Sequence, residues 1–170
     1  MQTLFYHILN PVLFILLAGI NLFGQTSNAI SIKASATVIE SKEIELITIQ
    51  EFAIDIGKAV DGVIEITSQR DATAGLMLLR GRPGAAFRLK YAPQLQLVNN
   101  TGNGAIIIDI GLSGFTTDNQ MASEPVYAVQ QTMSFSPQGK YFLWIGGHIN
   151  ISNAPAGNYA GELIIEIEYI

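Results

Sequence analysis

An all-β fold is what this sequence predicts, specifically an antiparallel immunoglobulin-like β-sandwich of about seven to nine strands preceded by a signal peptide helix. Three observations predict it. No segment after the first 29 residues shows helical periodicity over more than two turns. Runs rich in β-branched and aromatic residues recur at a spacing of about 8–12 residues, separated by turn signals. The last run, Tyr159 to Ile170, alternates at period two: Tyr159, Gly161, Leu163, Ile165, Ile167 and Tyr169 share one face, while Glu162, Glu166 and Glu168 share the other with Ile164 as the exception.

Taken in order, residues Ile8 to Gly24 form an apolar run broken by Asn10, Pro11 and Asn21. That is short for a membrane span of about 20 residues. Small polar residues follow, Gln25-Thr-Ser-Asn-Ala29, and they read as a cleavage region. The expectation is a signal peptide over residues 1–25, cut after residue 25 or after residue 29, and a single sandwich domain over residues 30–170. Met1 to His7 holds no Lys or Arg, so an uncleaved anchor and a buried helix stand as the alternatives.

The first strand alternates from its start: Ile30, Ile32, Ala34, Ala36 and Val38 on one face, Ser31, Lys33, Ser35 and Thr37 on the other. Glu43 to Gln50 makes a second strand, and Phe52 to Gly57 ends in a turn. Gly62 to Thr67 is a strand entered through Asp61-Gly62. Leu76 to Leu79 is short and apolar, and Arg80-Gly-Arg-Pro-Gly84 turns the chain. Ala85 to Tyr91 places Phe87, Leu89 and Tyr91 inward and Arg88 and Lys90 outward. Leu95 to Val98 is a short strand, Asn99 to Gly104 a turn, and Ala105 to Ile110 a β-branched strand. Gly111 to Pro125 reads as loop, and Val126 to Phe135 has room for one more strand. Tyr141 to Ile151 is apolar on both faces up to Gly146-Gly147, which predicts a central strand with a bulge or a close backbone approach at the glycines.

Composition narrows the function. Only 14% of the 170 residues are charged, the net charge is −5 and 49% are hydrophobic. That excludes a disordered polyelectrolyte and argues against a nucleic-acid partner, which demands a concentrated basic surface. There is no cysteine, so disulfides, thiolate metal sites and a lipidated N-terminal cysteine are impossible.

Three stretches resemble a known family. They are Ile56-Gly57 with Gly62-Val-Ile-Glu-Ile-Thr67; Gly81-Arg-Pro-Gly-Ala-Ala-Phe-Arg-Leu89; and Trp144-Ile-Gly-Gly-His-Ile-Asn-Ile151 with Pro155-Ala-Gly-Asn-Tyr-Ala-Gly161 running into Glu166-Ile-Glu-Tyr-Ile170. Over roughly residues 34–170 the chain is similar to the secreted bacterial β-sandwich family catalogued as domain of unknown function four-four-zero-two. Ile56 stands where that family's pattern has Phe. The resemblance implies a pilin-like or coat-like layout and an envelope or surface role, by analogy of fold rather than from any site.

No residue set points to catalysis. His148 is the one histidine beyond the leader, so a Ser-His-Asp arrangement would have to use it, and one histidine without cysteine does not make a zinc site. Glu166 and Glu168, about 7 Å apart on an open face, read as solvated edge residues rather than a glycosidase acid pair. Asp118-Asn119 lacks the spacing of a calcium loop. Arg80, Arg82, Arg88 and Lys90 read as an ordinary solvated face; the alternatives are an anionic glycan or a partner's acidic face, such as the final-strand glutamates of a neighbouring copy. Tyr141, Phe142 and Trp144 read as core rather than as a sugar-stacking platform.

Two functions fit, with no catalytic, cofactor or metal residue in either. One is an exported envelope assembly module that adds its first strand, through Ile30, Ile32, Ala34, Ala36 and Val38, to a copy of itself or to another envelope protein, with Tyr169 resembling a pilin C-terminus. The other is an extracellular module binding a glycan or another envelope component through the loops Asn99–Gly104 and Gly111–Pro125. In both, the membrane is met only through the leader during export.

Overall fold

The computed structural model describes residues 29–38, 44–128 and 131–170. The predicted leader, residues 1–25, and the cut after residue 25 lie outside them, whereas the alternative cut after residue 29 falls between two described residues, Ala29 and Ile30. The described residues form twelve strands: β1 Ala29–Val38, β2 Glu45–Gln50, β3 Phe52–Asp55, β4 Val63–Ile66, β5 Gly75–Arg80, β6 Ala86–Tyr91, β7 Gln94–Asn99, β8 Ala105–Phe115, β9 Glu124–Val126, β10 Thr132–Ser134, β11 Lys140–Asn150 and β12 Tyr159–Tyr169. Two short 3-10 turns, Ile56–Lys58 and Gln120–Ala122, are the helical residues among them.

The all-β class is as expected, but the strands belong to one hydrogen-bonded network. Its main path runs β10-β6-β12-β7-β8-β11-β5-β2. The path returns towards its start because the chain bends within a strand and changes partner. β2 pairs with β5, whereas its continuation β3 pairs with β1, which in turn pairs with β12. The switch falls at a register shift between Thr48 and Gln50. β6 and β7 repeat the device around Ala92-Pro93: both pair with β12, but β7 also reaches β8. The result is a near-barrel. It has more strands than the predicted seven to nine, among them β3, where the sequence showed a run ending in a turn, and β9, which falls at the end of the expected loop.

Two further expectations need correction. β8 runs on to Phe115 instead of stopping at Ile110, and the supposed loop also holds β9. Gly111 and Gly114 disguised this stretch, yet Gly114 is needed in a strand here, since a Cβ on it would run into the Tyr141 ring. The sheet is not wholly antiparallel either: β1 runs parallel to β12, from Ile30 opposite Tyr159 to Val38 opposite Ile167. The first and last strands share no direct connection that would force them antiparallel.

Side-chain alternation sorts the core from the surface. Leu79, Phe87, Leu89, Leu97, Ile108, Leu143, Ile165 and Ile167 are fully enclosed in one continuous core. The last strand behaves as read, with Leu163, Ile165 and Ile167 inside and Ile164 53% exposed among the glutamates. β11 is central: β8 lies on one side, β5 and β4 on the other. Its outward residues Phe142 and Trp144 form a second cluster with Leu78 on the far face of the sheet. At Asp61-Gly62 both residues have positive φ, and Val60 and Val63 exchange two backbone hydrogen bonds of 2.9 Å across them, the geometry of a two-residue hairpin.

Gly146 shows why the glycine pair sits in β11. A Cβ there would strike the Ile66 carbonyl oxygen and lie 2.6 Å from the Ser68 amide nitrogen. Gly146→Ala is therefore expected to force β4 away from β11 and cost about 2 kcal/mol or more. Urea unfolding with an unchanged slope would measure it, and a midpoint equal to that of the parent chain would show that β4 yields without cost.

Candidate functional site

The predicted assembly strand lies within its own chain's sheet, in a slot between β12 and β3. β3 supports it over Ala29–Ile32, where Ile30 faces Ile54 and Ile32 faces Phe52. β12 supports it over Ile30–Val38. Ile30 and Ile32 are 1% and 2% exposed, and Ser31 and Lys33 point to solvent. Ala34, Ala36 and Val38 stand in register with Leu163, Ile165 and Ile167; their side chains lie outside what the structure describes. The start of the strand is fastened by the Ala29 N–H, which donates to Asn158 Oδ1 at 3.2 Å.

The loop bearing Asn158 is itself fixed by Asn99. The Asn99 Oδ1 accepts from the Thr101 backbone N–H and the Thr101 hydroxyl, each at 2.9 Å, and its Nδ2 donates to the Ala156 carbonyl at 3.3 Å. The Tyr159 hydroxyl donates to the Pro155 carbonyl at 2.6 Å. These bonds tie the β7–β8 turn to the β11–β12 loop at the mouth of the slot. Sequence reasoning saw Asn99 as a turn residue only; its near-complete burial is a tertiary property with no local signal.

Tyr169 is placed elsewhere. It lies beyond Ile167, the last residue of β12 that β1 reaches. Its hydroxyl accepts from the Arg82 backbone N–H at 2.8 Å, and the Arg82 guanidinium sits 4.2 Å above its ring. Tyr169 thus braces the β5–β6 turn against the end of β12.

The glutamates of β12 are not on an edge, because β12 has β1 on one side and β6 and β7 on the other. Glu166 lies opposite Lys90 and Glu168 opposite Arg88, with Lys90 Nζ 3.8 Å from Glu168 Oε1. Glu168 therefore already has a basic partner within the chain. Such exposed pairs contribute at most about 1 kcal/mol.

The two loops assigned to ligand binding do not converge. Residues 100–104 precede β8 and residues 116–123 follow it, so the eleven residues of β8 hold them about 35 Å apart. The second loop also spends its polar groups internally: Gln120 Nε2 donates to the Ser68 and Asp71 carbonyls, and the Ser113 and Ser123 hydroxyls lie 2.9 Å apart, both buried.

His148 shares a row with Glu65 on one side and Asp109 on the other. Its Nδ1 is 3.8 Å from Asp109 Oδ2, and both side chains are about half exposed, so the pair is screened by water. Among the described residues no three His, Cys, Asp or Glu side chains are grouped to hold a metal ion. A recess of about 450 Å³ lies between β3 and β4 over Ile54, Ile64 and Ile66. Among the described residues no helix is long and apolar enough to cross a membrane. No protein-family model matches the chain, and no curated protein is similar enough to count as a relative.

Tyr141, Phe142 and Trp144 do not form one platform. Tyr141 faces the core, where its ring meets Phe87 edge-on at 5.2 Å, while Phe142 and Trp144 stack outside at 6.2 Å. Burial, reinforced by the Glu124 carboxylate, pushes the Tyr141 phenol up from 10.0 to about 12. The unfolded phenol ionises first, so the folded chain holds this proton more tightly as pH rises past 10. The associated stability, about 3 kcal/mol, is complete below that pH and disappears as pH climbs through the folded value. Tyr141→Phe should flatten the alkaline fall in melting temperature between pH 9 and pH 12. Parallel curves for the two proteins would assign that fall to other groups, with Tyr91, also raised by burial, the first to test.

Proposed function

We propose that this chain is an exported cell-envelope or surface structural protein, a pilin-like subunit that assembles by strand addition. In this reading residues 1–25 act as a signal peptide, and the near-barrel is a pinched immunoglobulin-like sandwich of the secreted family whose motifs the sequence resembles. No catalysis is assigned to it.

The observation that carries the reading is the slot of β1. The first described strand inserts between the last strand and β3, and among the described residues it pairs with nothing else. The two backbone edges of the slot come from residues 52–55 and 159–167, and Asn158 fastens its mouth. A β1 from a neighbouring copy meets the same backbone edges and the same pockets for Ile30 and Ile32. Exchange between copies therefore keeps every contact and changes only which chain supplies the strand. The ligand-binding alternative has weaker support, because its two loops lie at opposite ends of β8.

Capping the slot tests this. The intact chain is expected to form assemblies that light scattering resolves on prolonged incubation, and fractionation should place it outside the cytoplasm. A chain lacking residues 25–38, refolded with a synthetic peptide spanning Ala29–Val38, should form a one-to-one complex that grows no further. Assemblies that persist after capping, or an intact chain that stays monomeric at every concentration, would overturn the reading.

A further inference from the structure

Asn103-Gly104 is the one Asn-Gly step in the 170 residues. An asparagine amide carbon lies within reach of the next residue's backbone nitrogen. Closing that five-membered ring is hindered chiefly by the side chain of the next residue, and glycine has none. This chemistry is one reason asparagine is thermolabile.

The structure leaves Asn103 open to the reaction. Residues 100–104, which join β7 to β8, are all exposed. Gly104 has a φ of 128°, a conformation that glycine adopts freely and other residues rarely do. Among the described residues the Asn103 amide has no hydrogen-bond partner, whereas Oδ1 of Asn99, Asn119, Asn150 and Asn158 each accepts a backbone N–H. The related acidic step, Asp61-Gly62, is held in its hairpin, where the Gly62 carbonyl accepts from the Ile151 N–H at 2.7 Å.

The turn also sits where a change in it is felt. The Gly104 carbonyl accepts from the Asn99 N–H at 3.0 Å, and the Asn100 N–H donates to the Asn158 carbonyl at 2.8 Å. Gly104 lies against the β11–β12 loop, so that a Cβ on it would stand 3.2 Å from Pro155 Cγ. Asn158 Oδ1 in turn holds the Ala29 N–H. A short relay of contacts therefore runs from the turn to the first residue of β1.

We propose that Asn103-Gly104 is a self-modification site whose product loosens the start of β1. The Gly104 backbone nitrogen gives up its proton and bonds to Asn103 Cγ. The Cγ–Nδ2 bond breaks, Nδ2 leaves with a proton as ammonia, and a succinimide remains. Water then opens the ring. Opening at the Cγ–N bond gives aspartate with the original backbone. Opening at the other carbonyl gives isoaspartate, whose backbone runs through Cβ and Cγ and is one CH2 longer. The lengthened turn cannot keep both the Gly104 bond to Asn99 and the seat of Gly104 on Pro155. None of this depends on assembly by strand addition.

The full chain, held for days in mildly alkaline buffer and mapped by peptide mass spectrometry, tests the site. Asn103 should exchange its NH2 for OH at least tenfold faster than Asn153, which is exposed and precedes alanine. Asn103→Gln, whose ring would need six members, should stay unmodified. Hydrogen exchange tests the relay. The isoaspartyl fraction should exchange the amides of residues 29–32 at least threefold faster than the parent. Freshly prepared Asn103→Asp, with the charge but the original backbone, should match the parent. Equal rates at Asn103 and Asn153 would overturn the site. Unchanged exchange in the isoaspartyl fraction, or the same acceleration in Asn103→Asp, would overturn the relay.

Discussion

The parallel contact between β1 and β12 is the constraint on which the arrangement depends. Without it β3 has no partner among the described residues, Ile30 and Ile32 lose their enclosure, and the inner face of the last strand opens along Leu163, Ile165 and Ile167. The neighbouring features follow from it. β2 and β3 must bend because one end of their run is committed to β5 and the other to β1. The bend in turn puts β2 on β5 and β3 on β1 within one run of chain.

The same economy appears on the outer face. In a sheet with one side in water, alternation should leave the outer residues polar. β12 obeys this rule, with glutamates set against Arg88 and Lys90 of β6. β11 breaks it, with Phe142 and Trp144 packed on Leu78. The near-barrel therefore has a charged side over β12 and β6, whereas over β5 and β11 the outer residues Leu78, Phe142 and Trp144 are themselves buried. The proposal of structural assembly rests on the slot of β1, not on any group suited to bond-making. His148, the one described histidine, lies in the open between two carboxylates.

Much of this was legible because period-two alternation is local. β1, β6 and β12 could be written down with their inward residues, and Gly146-Gly147 announced a close approach that the Ile66 carbonyl supplies. What could not be read was partner choice. Nothing in Glu45–Asp55 says that its halves belong to different neighbours, and nothing in Gly111–Phe115 reveals that Gly114 makes room for a Tyr141 ring twenty-seven positions later. Similarly, the loops Asn99–Gly104 and Gly111–Pro125 looked like one surface because both are polar and glycine-rich. Only the extra length of β8 sets them apart. The assembly residues split in the same way: the alternation of β1 was visible, whereas the role of Tyr169 depends on Arg82, distant in sequence.

The pairing of the chain's first described strand with its last also has a temporal meaning. Ala29 and Asn158, joined by a hydrogen bond, are 129 positions apart. Closing a loop of that size costs about 4 kcal/mol beyond a constant term, before any contact rewards it. Synthesis runs from the N-terminus, so β1 has no β12 to join until almost the whole chain has been made. Topologies dominated by such distant pairs fold slowly. A chain built this way can close its sheet around β1 only after β12 has been made.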